Sequence, residues 1–152
     1  MGMDVHGLGP KSEVGRYFRN NVWWWRPLAI YVSEVAPSFY EERWQTNDGA
    51  GLNAGRALAL GALLKQEIES GRTAQYAKER FLRIDAMPDI LCDLCSGTGK
   101  RNDRYTDFKT CICNKCDGEG TVRPWDASYP FDEHNVKAFA AFLLDCGGFT
   151  ID

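Results

Sequence analysis

The chain has 152 residues, 44% of them apolar and 26% charged, with a formal net charge of −3 and six cysteines. That length and balance fit one soluble domain with a hydrophobic core and exclude a disordered chain. The slight acidity argues against a general electrostatic grip on nucleic acid or anionic lipid. The longest apolar runs, "VWWW" and "LALGALL", fall far short of the roughly 20 residues that cross a bilayer.

The opening "MGMDVHGLGPKSEVG" lacks the basic start and apolar centre of a secretory signal. It also misses the myristoylation pattern, since His6 stands where Ser or Thr is required. A cytoplasmic, reducing setting is the expectation, and there cysteines serve as metal ligands or free thiols more often than as disulfides.

The first twenty residues read as an irregular or extended lead-in. "RPLAIYVSEVAP" predicts a helix with Pro27 in its first turn, Leu28, Tyr31, Val32 and Val35 on one face, and Pro37 as its stop. "TNDGAGLN" is a turn-rich link in which Asn53 can cap the next helix, "AGRALALGALLKQEIES", and Gly71 can close it. Thr73 is expected to cap a third helix that carries Ala77, Phe81 and Ile84 inward and ends at Pro88. A last helix is predicted from near Asp132 to Cys146, with Val136, Phe139, Ala140 and Leu143 inward. The alternating tail "FTID" predicts a short strand. The expected architecture is therefore mostly α, with an α+β arrangement as the alternative: a single domain over residues 1–152 carrying an insert at 90–123.

In that insert helical periodicity stops and one phrase is written twice. "CDLCSGTG" begins at Cys92 and "CNKCDGEG" at Cys113; both read Cys-x-x-Cys-x-Gly-x-Gly. Two residues between cysteines let a tight turn aim both sulfurs at one point, and two such turns supply four thiolates to a tetrahedral zinc. Cys92, Cys95, Cys113 and Cys116 are the expected ligands of one structural zinc ion, in a knuckle or ribbon of short hairpins. Cys111 offers a substitute sulfur, but Cys113 alone has the repeated frame. Gly97, Gly99, Gly118 and Gly120 fall where the chain must turn away from the metal. Four thiolates leave no open position for water, so the ion is expected to be structural.

The doubled phrase resembles the zinc-binding module of DnaJ-type co-chaperones over residues 92–120. That module usually carries four repeats and two zinc ions, so the resemblance implies one zinc here. The family's His-Pro-Asp motif is missing; the nearest text is Met87-Pro88-Asp89, which implies no recruitment of the partner chaperone. What the resemblance does imply is a rigid, Gly-rich zinc hairpin pair presenting a protein-binding surface. Elsewhere "MGMDV", "YFRNNVWWWRPL" and "NDGAGL" resemble small proteins of phages and prophages.

The loop "GKRNDRYTDFK" between the knuckles holds Arg101, Arg104, Tyr105 and Phe108, residue types that often anchor interfaces. Over residues 90–125 six basic side chains face five acidic ones, and a four-thiolate zinc adding −2 leaves the segment at about −1. Among Trp23, Trp24 and Trp25 the expectation is that at least two face the core, leaving one able to bind a base or a partner. No phosphate loop, Gly-x-Ser-x-Gly or His-Glu-x-x-His occurs. The expected function is a non-enzymatic, zinc-stabilised adaptor or inhibitor, phage-encoded and aimed at a host protein. The alternatives are a nucleic-acid-binding accessory protein and an enzyme with an unrecognised site away from the zinc.

Overall fold

The computed structural model describes residues 2–101 and 111–152. They divide into two compact units, one from Met1–Phe81 with Tyr129–Asp152, the other Leu82–Ser128.

The first unit is α+β, which corrects the expectation of a mostly α body. Its four-stranded antiparallel sheet runs in the order β2-β1-β6-β3, where β1 is Gly2–Gly7, β2 Tyr17–Asn21, β3 Ala50–Asn53 and β6 Gly148–Ile151. The supposed lead-in supplies two of these strands. The C-terminal strand lies between β1 and β3, with Val5 opposite Ile151 and Leu52 opposite Phe149. Strand alternation sends Met3, Val5, Leu52, Phe149 and Ile151 into the core, while Asp4, His6, Tyr17 and Arg19 take the other face.

Helix α1, Val22–Val35, begins four residues before its predicted start. Asn21 caps it by accepting from the Trp24 amide at 3.1 Å, so Pro27 lies inside the helix and not in its first turn. Helix α2, Ala54–Glu69, has the predicted Asn53 cap, whose side chain accepts from the Arg56 amide at 3.0 Å. Helix α4, Glu133–Asp145, is capped by Asp132 and buries Val136, Phe139, Ala140 and Leu143 as predicted. Phe139 sits among the rings of Phe18, Trp25, Trp44, Phe142 and Phe149.

Helix α3, Arg72–Asp85, departs from its forecast in two places. Thr73 is not a cap: it is wholly buried, and its hydroxyl meets that of Tyr31 at 2.8 Å. Phe81, predicted inward, is 65% exposed. Of the three adjacent tryptophans, Trp25 is buried and donates Nε1–H to the Trp44 carbonyl at 2.6 Å, Trp24 is half-buried and Trp23 is exposed. The chain returns at Tyr129, whose carbonyl accepts from Arg80 at 3.1 Å and whose hydroxyl accepts from Arg26 at 3.3 Å. Among the described residues, none of the large core side chains comes from 82–128.

The second unit is built on two short antiparallel pairings. Strands β4, Ile90–Leu91, and β5, Thr121–Val122, form a two-stranded ribbon, and Lys100 pairs with Ile112. Between these pairings lie the two Cys-x-x-Cys turns. No helix among the described residues is long and apolar enough to cross a membrane.

Candidate metal centre

The two knuckles repeat one backbone conformation. Ser96 and Asp117 have φ of 51° and 49°, Gly97 and Gly118 of 84° and 89°, and Gly99 and Gly120 of 70° and 79°. The eight-residue phrase is thus a structural repeat as well as a textual one. The copies also exchange hydrogen bonds: the Cys92 amide donates to the Gly120 carbonyl, and the Cys113 amide to the Gly99 carbonyl, both at 2.9 Å.

This exchange explains the last glycine of each copy more closely than the sequence did. A Cβ on Gly99 would lie 2.2 Å from the Gly118 carbonyl oxygen, and one on Gly120 would lie 2.4 Å from that of Gly97. The glycines allow left-handed turns, and they also let one knuckle's backbone press against the other's.

The four sulfurs converge as a result. Those of Cys92, Cys95, Cys113 and Cys116 all lie within 4.8 Å of one another, and all four residues are buried. Two cross-repeat separations are 3.8 Å (Cys92 to Cys113) and 3.7 Å (Cys95 to Cys116). A tetrahedral thiolate shell with metal–sulfur bonds of about 2.3 Å has sulfur–sulfur edges of about 3.8 Å. The cluster therefore fits a four-coordinate metal ion with no vacancy. Among the described residues no other group of three or more His, Cys, Asp or Glu side chains gathers closely enough to hold one.

The surroundings favour thiolates around a cation. The Gly99 amide points at the Cys95 sulfur and the Gly120 amide at the Cys116 sulfur, each at 3.3 Å. At Cys95 burial opposes ionisation, but the Gly99 amide and the neighbouring thiols outweigh it and lower the thiol to about 7. At Cys116 burial prevails and the thiol is pushed up to about 11. Neighbouring thiols this close do not all shed their protons near neutrality unless a cation sits between them.

Cys111 stands outside the cluster. It is half-buried with φ of 51°, and its carbonyl accepts from the Arg101 amide at 2.8 Å. Cys146 is buried in the first unit's core, where burial raises its thiol. Arg101 bridges the repeats by donating to Asn114 Oδ1 at 2.8 Å. Arg104, Tyr105 and Phe108, expected to meet a partner, lie outside the described residues. Lys115 Nζ and Asp93 Oδ1, from the x-x positions of opposite knuckles, pair at 2.5 Å on the surface. The sequence carried no signal for that link.

Comparison with protein-family models, with curated proteins and with solved structures gives no match for this chain.

Proposed function

We propose that this protein is a non-enzymatic, zinc-stabilised protein-binding module. One zinc ion on Cys92, Cys95, Cys113 and Cys116 holds residues 90–123 in shape, and the ordered segment engages a protein partner as an adaptor or inhibitor. The observation that carries this reading is the cluster of four buried sulfurs within 4.8 Å of one another, with the Cys92–Cys113 and Cys95–Cys116 separations at the tetrahedral edge length. Four protein ligands leave no position for a substrate or an activated water, so the ion's role is to order the chain. An ordered segment also loses less entropy on docking than a flexible one.

Tetrahedral thiolate sites take zinc or iron. Elemental analysis of protein purified without chelators is expected to give one zinc per chain. An iron-containing, coloured protein or a metal-free one would refute the assignment. Cross-linking in the native host then tests partner binding, with the parent expected to capture a protein that Cys92→Ser does not. If both capture the same proteins, the zinc-ordered segment is not the binding surface. Arg104→Ala with Tyr105→Ala measures the loop's share of that surface.

A further inference from the structure

The metal-binding unit carries apolar side chains on its outside. Ile90, Leu91 and Trp125 are exposed by 49, 70 and 61%, while the buried cluster inside is four cysteines with Val122 packed against them. Ile90, Leu91, Val122 and Trp125 supply the apolar half of the lining of a groove of about 480 Å³ beside the β4–β5 ribbon, and Asp93, Lys115, Arg123 and Ser128 supply the polar half. That volume lies within the roughly 300–1,000 Å³ typical of ligand clefts. Clusters of exposed large apolar side chains of this kind mark interaction sites.

The charges around the groove are matched within the unit. Lys115 pairs with Asp93 at 2.5 Å, and Arg123 pairs with Asp89 at 3.3 Å. The Arg123 guanidinium also donates to the Ile84 and Met87 carbonyls at 2.6 and 2.7 Å, where it closes the end of α3. These cations already have partners, which favours an uncharged occupant that leaves both pairs intact.

The backbone adds a direction. Because the Cys92 amide donates to the Gly120 carbonyl, the antiparallel alternation makes Ile90–Val122 the next hydrogen-bonded pair. The Leu91–Thr121 pair between them therefore turns its N–H and C=O groups outward, to the two edges of the ribbon.

We infer that the groove takes an extended, uncharged apolar segment of a partner protein, laid as a third strand along the outer edge of β4 with a side chain against Leu91 and Trp125. Main-chain hydrogen bonds to an edge strand, with alternate side chains entering pockets, are an established mode of peptide recognition. The inference rests on the protein-binding reading above and adds where the partner sits and what it is made of.

The test uses the full zinc-loaded chain and a short fluorescein-labelled peptide alternating Leu and Ser, read by fluorescence anisotropy. Saturable binding is expected, weakened about tenfold or more by Trp125→Ala and by Leu91→Asn, as loss of an anchor residue gives. Both residues are exposed, so the variants are expected to keep their zinc, which metal analysis checks. A control peptide with Glu in place of Leu should not bind, and N-methylation of alternate peptide residues should abolish binding. Unchanged affinity in both variants, or equal binding of the Glu peptide, overturns the inference. So does a dimer seen by sedimentation that the same substitutions dissociate, which would make a second copy the occupant. If the peptide fails while the parent still cross-links a host protein in a zinc-dependent way, the groove is wrong and the protein-binding reading stands. If no zinc-dependent partner appears at all, that reading itself fails.

Discussion

Replacing Gly99 by Ala is expected to weaken metal binding strongly without touching a ligand. Two costs combine at this position. The left-handed backbone, with φ of 70°, costs an L side chain about 1–2 kcal/mol. The added Cβ would also stand 2.2 Å from the Gly118 carbonyl oxygen and 2.9 Å from its carbon. Since Cβ atoms essentially never approach closer than 3.0 Å, the opposing knuckle must retreat by about 0.8 Å. Metal–ligand distances tolerate about ±0.2 Å, so Cys116, two residues before Gly118, cannot stay in register with Cys95. The Gly99 amide that supports the Cys95 sulfur is displaced too. Disturbing such supporting contacts typically lowers metal affinity by about 10–100-fold, and a loss at or beyond the upper end is expected. Gly71→Ala is the control, since φ there is 80° and nothing lies within 4 Å of the added Cβ. It pays the backbone term alone and should leave zinc affinity unchanged. The assay is competition for zinc against a chromophoric chelator. Gly99→Ala binding zinc as tightly as Gly71→Ala would refute the close-approach argument.

Cys92→Ser is expected to abolish stoichiometric zinc binding while leaving most of the far-UV helical signal, because among the described residues no large core side chain comes from 82–128; global unfolding in circular dichroism would contradict this. Thr73→Val leaves the buried Tyr31 hydroxyl without its 2.8 Å partner and should cost about 1–3 kcal/mol in urea unfolding. The double variant with Tyr31→Phe should cost less than the two singles added together. Asp145 Oδ2 accepts from the Ser12 hydroxyl at 2.6 Å and from the Ser12 and Gly15 amides at 2.9 Å each, and these bonds, the Ser12 hydroxyl first, hold its carboxyl below the ordinary 3.8. The stabilisation is then fully present above that ordinary value and is lost as pH falls through the lower folded one. Asp145→Asn should therefore flatten the decline in melting temperature below about pH 4, and an unchanged acid profile would count against the clamp.

What the sequence determined alone is what short-range chemistry specifies. The four-cysteine cluster was legible because two residues between cysteines and two glycines after them set a turn, and writing the turn twice brings four sulfurs together. Helices α2 and α4 were legible through Asn53, Asp132 and apolar faces at helical spacing, all within one segment. The sheet needed the tertiary structure. Residues 2–7 are short and rich in glycine and polar groups, and their place inside the sheet depends on the C-terminal residues 148–151, which lie between β1 and β3, while residues 17–21 pair with β1 alone as the edge strand. No local pattern encodes a partner more than 140 residues away. Thr73 and Phe81 were misread for the same reason: a hydroxyl looks like a cap and a phenyl like core until the neighbour is known. For Thr73 that neighbour is Tyr31, forty-two positions earlier in the chain. The pressing of Gly99 on Gly118, and of Gly120 on Gly97, likewise belongs to the assembled pair: each glycine's turn is written locally, but the carbonyl that forbids a side chain there comes from the other copy.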